Sequence, residues 1–273
     1  MKHAWLIIAH NEWGILQRLV SGLDAPECDF YVHIDKKVRD LPLLKVEKGR
    51  LIMLENRLDV RWGSVSQIEC ELTLFEAAAA SGPYGFYHII SGVTLPLKPF
   101  EEVDAWFAGH SGKNIFCGFC QDEPYQETLK VRRYNCFLRG FTSRSTFRQK
   151  VSQFLWKGAI AIQRVLHIEA NRGKTFYKAA NWLSLTEEAV QYILSRKKSI
   201  LKSYRYSFCG DEYFVPSELM SSPLKEHVLS YEQYLLQNMG RATTATFPLE
   251  EYESMKASGC LFARKFSENV VGK

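Results

Sequence analysis

The sequence has no hydrophobic run long enough to cross a membrane. Its N-terminal apolar stretch covers only residues 4–9 before the polar residues His10, Asn11 and Glu12. This stretch is too short for a signal peptide, and its continuous apolar character is typical of a strand buried on both faces. We therefore expect a cytoplasmic protein, at most peripheral on the inner face of the membrane.

The cysteines lack the pairing of a disulfide scaffold or a zinc site. Seven cysteines are scattered along 273 residues, and only Cys117 and Cys120 have metal or redox spacing. That pair has no second pair and lies inside an apolar stretch, so we interpret all seven as reduced thiols.

Acidic residues are almost absent between Lys130 and Lys178, where Glu169 is the only one. The net charge of +5 is therefore concentrated there, which suggests an anionic partner: membrane phospholipid, an acidic glycan or nucleic acid. Residues 145–168 also carry apolar side chains at helical spacing: Phe147, Val151, Phe154, Leu155, Ile162, Val165 and Leu166. This basic amphipathic helix either packs on its own domain with a solvated basic face or lies on an anionic membrane. Because no nucleic-acid-binding motif accompanies the charge, we do not expect nucleic acid as a partner.

The remaining pattern predicts an α/β protein. Hydrophobic residues make up 46% and charged residues 24% of the chain, as in ordinary globular proteins. Strand-like runs at 5–9, 30–35 and 51–54, with a helical pattern after the first, predict a mostly parallel sheet flanked by helices. Further elements are predicted at 67–80 (helix), 87–92 (strand), 100–107 (helix), 114–119 (strand), 181–185 (strand running into a helix capped by Thr186) and 249–258 (helix).

Parallel sheets bind ligands beyond the carboxyl ends of their strands. Ala9 and His10 follow the first strand and Asp35 ends the second, so these residues are expected at the binding edge. Asp35 is either a nucleotide contact or a simple turn residue, since no glycine-rich phosphate fingerprint precedes it.

Two adjacent acids follow a glycine at Gly210 and precede an apolar run. Asp211 is suited to cap the helix that begins there. Adjacent helical residues point about 100° apart, so only one of the two acids can serve a given site. We assign the cap to Asp211 and a catalytic base to Glu212.

Several motifs, in this order, resemble the core-2/I-branching β-1,6-N-acetylglucosaminyltransferase family (glycosyltransferase family 14), most closely its short bacterial members. They are HIDKK at 33–37, WGSVSQIECEL at 62–72, YHIISGVTLPL at 87–97, NWLSL at 181–185, DEY at 211–213 and LFARKF at 261–266. The resemblance implies a GT-A-like nucleotide-sugar-binding fold, a UDP-sugar donor, an inverting reaction and no metal or other cofactor. The sequence is consistent with the last point because it contains no Asp-x-Asp motif.

The resemblance also implies roles for individual residues. Glu212 matches the family's general base. Donor binding falls to Ala9, Asp35 and Trp62, with Arg241 and Lys265 neutralising the diphosphate. Acceptor binding falls to Ser91, Thr94 and Trp182, although the family usually has aspartate where this chain has Thr94.

We therefore expect one glycosyltransferase domain over residues 1–273. It divides into a nucleotide-binding half (1–120), a basic amphipathic helical segment (130–178) and an acceptor and catalytic half with a diphosphate-binding tail (179–273). The first donor expectation is UDP-N-acetylglucosamine, giving a β-linkage to a glycan or glycolipid hydroxyl. The alternatives are a xylosyltransferase of the same family and an inactive, membrane-associated glycan-binding protein. A glycoside hydrolase would need a second carboxylate facing the same bond, and none is evident.

Overall fold

The computed structural model describes residues 1–143, 145–237 and 245–268. Its strands are β1 (His3–Ala9), β2 (Cys28–Ile34), β3 (Arg50–Met53), β4 (Phe86–Ser91), β5 (Thr94–Pro96), β6 (Asn114–Phe116), β7 (Leu183–Leu185), β8 (Val228–Ser230), β9 (Leu235–Gln237), β10 (Phe247–Pro248), β11 (Phe262–Arg264) and β12 (Phe266–Ser267). Its α-helices are α1 (Trp13–Gly22), α2 (Val65–Ala79), α3 (Phe100–Gly109), α4 (Pro124–Val131), α5 (Thr146–Val165), α6 (Glu187–Ser195), α7 (Lys197–Tyr204), α8 (Phe214–Met220) and α9 (Tyr252–Met255).

The central sheet has seven strands in the order β3-β2-β1-β4-β7-β6-β8. All neighbouring pairs are parallel except those of β7, which runs antiparallel to both β4 and β6. Along β1, Trp5 pairs with Phe30 of β2 and with His88 of β4. The prediction of an α/β fold with a mostly parallel central sheet flanked by helices is confirmed.

The core forms because apolar strands lie between apolar helix faces. In β1, residues 4–7 are fully buried, as the continuous apolar run predicts. Helix α2 packs on β1 and β2 through Ile68, Leu72 and Phe75, which are also fully buried. The Thr186 hydroxyl accepts a hydrogen bond from Ala189 N at 3.3 Å, so the predicted cap of α6 is confirmed.

The carboxyl edge of the sheet is where the C-terminal tail returns. Asp35 N donates to Ala9 O at 2.9 Å, which joins the ends of β2 and β1. A second sheet, β5-β11-β9, lies beside this edge, because β5 follows closely after the end of β4. Phe266 N donates to Val93 O at 2.9 Å and fixes the tail in this position.

Two helical predictions need correction. The predicted helix 249–258 is broken into α9 and two flanking 3-10 turns. The segment 145–168 does form the helix α5, but its apolar face is exposed and not packed on the domain. None of the helices in the described ranges has the length and apolarity to cross a bilayer. All seven cysteines, each in the described part of the chain, are free thiols.

Candidate active site

Glu212 lies on a tight turn that two distant segments hold in place. Gly210–Glu212 forms a single 3-10 turn, which begins after Cys209 in the left-handed region (φ 53°). Cys209 N donates to Gly63 O at 2.9 Å, and Glu212 O accepts from Ala179 N at 3.0 Å. A side chain at Gly210 would place its Cβ 2.1 Å from Ser207 Oγ, so it would have to displace the hydroxyl that donates to Tyr204 O at 2.8 Å.

The Glu212 carboxylate lies between two lysines and remains partly accessible. Its side chain is 32% exposed, and Oε2 lies 3.3 Å from Lys130 Nζ and 3.7 Å from Lys178 Nζ. Both ammonium groups also contact Asp122 Oδ2, at 3.7 Å and 3.6 Å. Two cations and two anions therefore share one small cluster, and the Tyr213 hydroxyl completes it by donating to Asp122.

The charges of this cluster stabilise one another. Burial favours the neutral form of Lys130, but the Glu212 and Asp122 carboxylates overcome this and raise the pKa of Lys130. Burial likewise favours neutral Asp122, but the Tyr213 hydroxyl and the two lysines hold the pKa of that carboxyl below its ordinary value. We infer that the lysines fix the position of the Glu212 side chain, leaving part of it open to an incoming group.

Asp211 does not cap a helix, so that prediction is wrong. Helix α8 begins at Phe214 with no side-chain cap, and Asp211 is buried. Its Oδ2 accepts a hydrogen bond from Gln67 Nε2 at 3.0 Å, and Gln67 Oε1 also accepts from Gly63 N. Burial, followed by the negative charge of Glu212, raises the pKa of Asp211 to about 7. Asp211 therefore ties the turn to α2 rather than starting α8.

Glu71 is a second buried acid in this region. It belongs to α2 and is completely buried. Burial, and then the charge of Asp211, raise the pKa of Glu71 well above its ordinary value. The protein core next to Asp211 thus favours neutral carboxyl groups, in contrast to the charged cluster at Glu212.

The predicted donor residues Ala9 and Asp35 lie side by side at the sheet edge. Besides the backbone bond to Ala9, Asp35 accepts two hydrogen bonds from Lys37, from Nζ at 2.7 Å and from the backbone N at 2.8 Å. Lys37 Nζ also contacts Asp59 Oδ1 at 2.8 Å. Trp62 is 49% exposed and packs edge to face on Phe208, so its ring is available for stacking.

Lys265 follows β11 and is half-buried near the same edge. Its backbone oxygen accepts from Phe247 N at 2.7 Å, and its charge acts on His10. Burial, and then the adjacent Arg264, lower the pKa of Lys265. No carboxylate of the described ranges lies within ion-pair distance of its Nζ. Arg241, the other predicted diphosphate ligand, lies outside the described residues.

The three predicted acceptor residues come together through Arg264. The Ser91 and Thr94 hydroxyls are 2.9 Å apart and buried, and Thr94 pairs with Arg264 across the β5–β11 ladder. The Arg264 guanidinium lies 4.5 Å from the centre of the Trp182 ring. Burial lowers the pKa of Arg264 to about 10. Neither Arg264 Nε nor Trp182 Nε1 has a hydrogen-bond partner among the residues that the structure describes.

Several residues of the site were not predicted from the sequence. Lys130 and Lys178 entered the sequence analysis only as the two ends of the basic segment, without a role in the site. No sequence pattern indicated a role for Asp122. Arg264 appeared within the motif at 261–266 without a role. No cluster of three or more metal-binding side chains occurs in ranges 1–143, 145–237 and 245–268.

Comparison with known proteins identifies the family. Residues 3–239 match the family model described as Core-2/I-Branching enzyme. An N-acetyllactosaminide β-1,6-N-acetylglucosaminyl-transferase from Homo sapiens is 26% identical over 121 residues, which is 42% of this chain and 30% of that protein. The chain thus matches less than a third of the length of that relative. The crystal structure of mouse xyloside xylosyltransferase 1 in its apo form superposes with a TM-score of 0.41 at 10% identity, covering 96% of each chain.

Proposed function

Because the chain belongs to the Core-2/I-branching enzyme family, we propose that it is an inverting glycosyltransferase. It moves a sugar from a UDP-sugar to a hydroxyl of a glycan or glycolipid acceptor. N-acetylglucosamine in β-linkage is the proposed sugar. The observation that carries this proposal is the partly exposed Glu212 carboxylate, held between Lys130 and Lys178 on a turn anchored from two sides.

Glu212 acts as the general base. A sugar hydroxyl has a pKa far above 7, so a carboxylate must accept its proton as the oxygen attacks the anomeric carbon. The bond between that carbon and the UDP oxygen breaks on the opposite side, and UDP leaves with the bonding electrons. One base and no protein nucleophile suffice for inversion.

The departing diphosphate carries the charge that the site must neutralise. Lys265 is suited to this because its ammonium group is half-buried and has no carboxylate partner in the described part of the chain. We assign Arg241 the same role from its position upstream of Lys265 in the sequence. These two side chains then neutralise the diphosphate, as a divalent ion does in enzymes with an Asp-x-Asp motif. This sequence lacks that motif.

The remaining residues place the substrates. Ala9, Asp35 and Trp62 form the nucleoside side of the site, with the exposed Trp62 ring as a stacking surface for the uracil base. Ser91, Thr94 and Trp182 form the acceptor side. The Arg264 guanidinium, stacked on the Trp182 ring, supports these residues from the protein side.

A donor screen tests the proposal. The purified chain is incubated with a panel of UDP-sugars, with and without EDTA, and UDP release is measured. We expect release from UDP-N-acetylglucosamine that EDTA does not change. Release from UDP-xylose alone would reassign the donor, and EDTA-sensitive release would contradict the metal-free assignment. The absence of release from every donor, with UDP still bound, would indicate a glycan-binding protein instead.

A further inference from the structure

Helix α5 is attached to the protein through its polar side. Gln163 exchanges hydrogen bonds with the backbone of Tyr134, accepting at 2.8 Å and donating at 2.9 Å. Trp156 Nε1 donates to Asn135 Oδ1 at 2.8 Å, and the Ser152 hydroxyl donates to Phe137 O. The side of α5 that faces the protein is therefore held by these hydrogen bonds together with the buried Ile160 and the contact of the Trp156 ring with Phe141.

The outer side of α5 is apolar. At about 100° per residue, Phe147, Val151, Phe154, Ile162 and Val165 fall on one face of the helix. Phe147, Phe154 and Val165 are each more than three-quarters exposed. A helix of 20 residues is roughly 30 Å long, so this surface, which we call the outer face, is a continuous apolar stripe of that length. Soluble monomers rarely expose such a stripe unless something covers it.

Positive charge flanks the outer face and no negative charge interrupts it. Helix α5 contains no acidic residue, and Lys150, Lys157 and Arg164 are exposed along one flank. On that flank, a cleft between α4 and α5 is lined by Arg133 and Arg164. The Arg164 guanidinium lies over the Tyr125 ring and donates to its hydroxyl at 3.2 Å, which holds this positive charge beside the outer face.

We propose that the outer face of α5 docks on the surface of an anionic phospholipid bilayer, with the helix axis in the plane of the membrane. Phe147, Phe154 and Val165 would enter the boundary between headgroups and acyl chains. Lys150, Lys157 and Arg164 would lie among the phosphates. A second copy of this chain fits less well, because a two-fold interface would bring two faces of like charge together.

Docking there brings the catalytic turn close to the membrane. On the inner side of α5, the Trp156 ring contacts Phe208, with ring centres 6.2 Å apart. Phe208 also contacts Trp62 and precedes the turn that carries Glu212. In that arrangement α5 lies between the bilayer and Phe208, which leads into this turn. If the proposed transferase activity holds, the acceptor class that fits is a glycan anchored in the same bilayer.

Vesicle sedimentation tests the docking surface without requiring activity. The intact chain is mixed with vesicles of phosphatidylcholine, with or without phosphatidylglycerol, and the bound fraction is measured. We expect binding only to the anionic vesicles. The exposed phenylalanines allow a double variant, Phe147→Ser with Phe154→Ser, which should lower the partition coefficient at least about tenfold. The triple variant Lys150→Gln, Lys157→Gln and Arg164→Gln should lower it by about a hundredfold, at roughly fivefold per charge.

A matched triple variant controls for net charge. Lys2, Lys48 and Lys113 are exposed and each precedes a strand (β1, β3 and β6), so they lie at the opposite edge of the sheet. Their change to glutamine should leave vesicle binding within about twofold of wild type. Equal loss in the two triple variants, or equal binding to neutral vesicles, would overturn the proposal. So would a dimer in lipid-free solution that the phenylalanine variant dissociates.

Activity then tests the acceptor class separately. UDP release in solution should be the same in the α5 variants and in wild type, and only transfer to a vesicle-bound acceptor should fall. If neither the wild type nor any variant releases UDP, the proposed function is wrong. The vesicle experiment still decides whether the outer face binds the bilayer.

Discussion

The buried carboxyl of Asp211 makes stability depend on pH in a way that one substitution should abolish. Its pKa is about 7 in the folded protein, against an ordinary value of 3.8. The folded state therefore binds this proton more tightly than the unfolded state does. The resulting stabilisation is complete below pH 3.8 and is lost as the pH rises through 7.

The size of the effect follows from the difference between the two pKa values. Each pKa unit of difference corresponds to about 1.36 kcal/mol. The wild type therefore loses about 4 kcal/mol of unfolding free energy as the pH rises from below 3.8 to above 7, and about 3 kcal/mol of this between about pH 5 and 8. The Asp211→Asn variant keeps an oxygen that can accept the hydrogen bond from Gln67, but its amide group cannot ionise. Any cost of the new amide group is independent of pH, so the slope of stability with pH is the quantity to compare.

Urea unfolding at several pH values measures this slope. The difference in unfolding free energy between Asp211→Asn and wild type should shift by about 3 kcal/mol in favour of the variant between about pH 5 and 8. The matched control is Asp40→Asn, which removes an exposed carboxylate and should keep the wild-type slope. Parallel curves for wild type and Asp211→Asn would refute the inference that burial keeps this carboxyl protonated.

Three further substitutions test the other parts of the proposed site. Lys265→Ala should weaken UDP binding, measured by calorimetry, by about 10- to 100-fold, because it removes a charged hydrogen bond to the diphosphate; Lys256→Ala, an exposed lysine of the same tail, should not. Trp62→Ala should weaken UDP binding roughly tenfold through loss of base stacking, and an unchanged dissociation constant would remove Trp62 from the donor site. Lys130→Gln should lower kcat at least about tenfold with UDP affinity retained, because it removes one of the two lysines that hold the Glu212 side chain. Equal effects on kcat and UDP affinity would contradict this positioning role.

The sequence predicted the sheet because the signals for it are local. The apolar run of β1 and the Thr186 cap are decided by residues next to one another in the chain. The resemblance of ordered motifs assigned roles to Glu212 and Lys265, and those roles stay predictions. These predictions needed no knowledge of contacts between distant segments.

The features that were not predicted depend on contacts between distant parts of the sequence. Asp211 failed as a cap because Gln67, which is 144 residues away, competes for its carboxylate. Lys130 is 82 residues from Glu212, and no periodicity connects them. Helix α5 was predicted with an apolar face, but the pattern of a helix does not say which side faces the protein. Hydrogen bonds from Gln163 and Trp156 decide that, and they turn the apolar face outward.

Turnover by Glu212→Gln is the most direct test of the central claim. The substitution keeps the shape of the side chain and removes the ability to accept a proton, so the fold and UDP binding should persist. We predict that transfer falls at least about 10²-fold while the UDP dissociation constant stays within about twofold of wild type. Transfer at a near-normal rate would contradict the assignment of Glu212 as the general base.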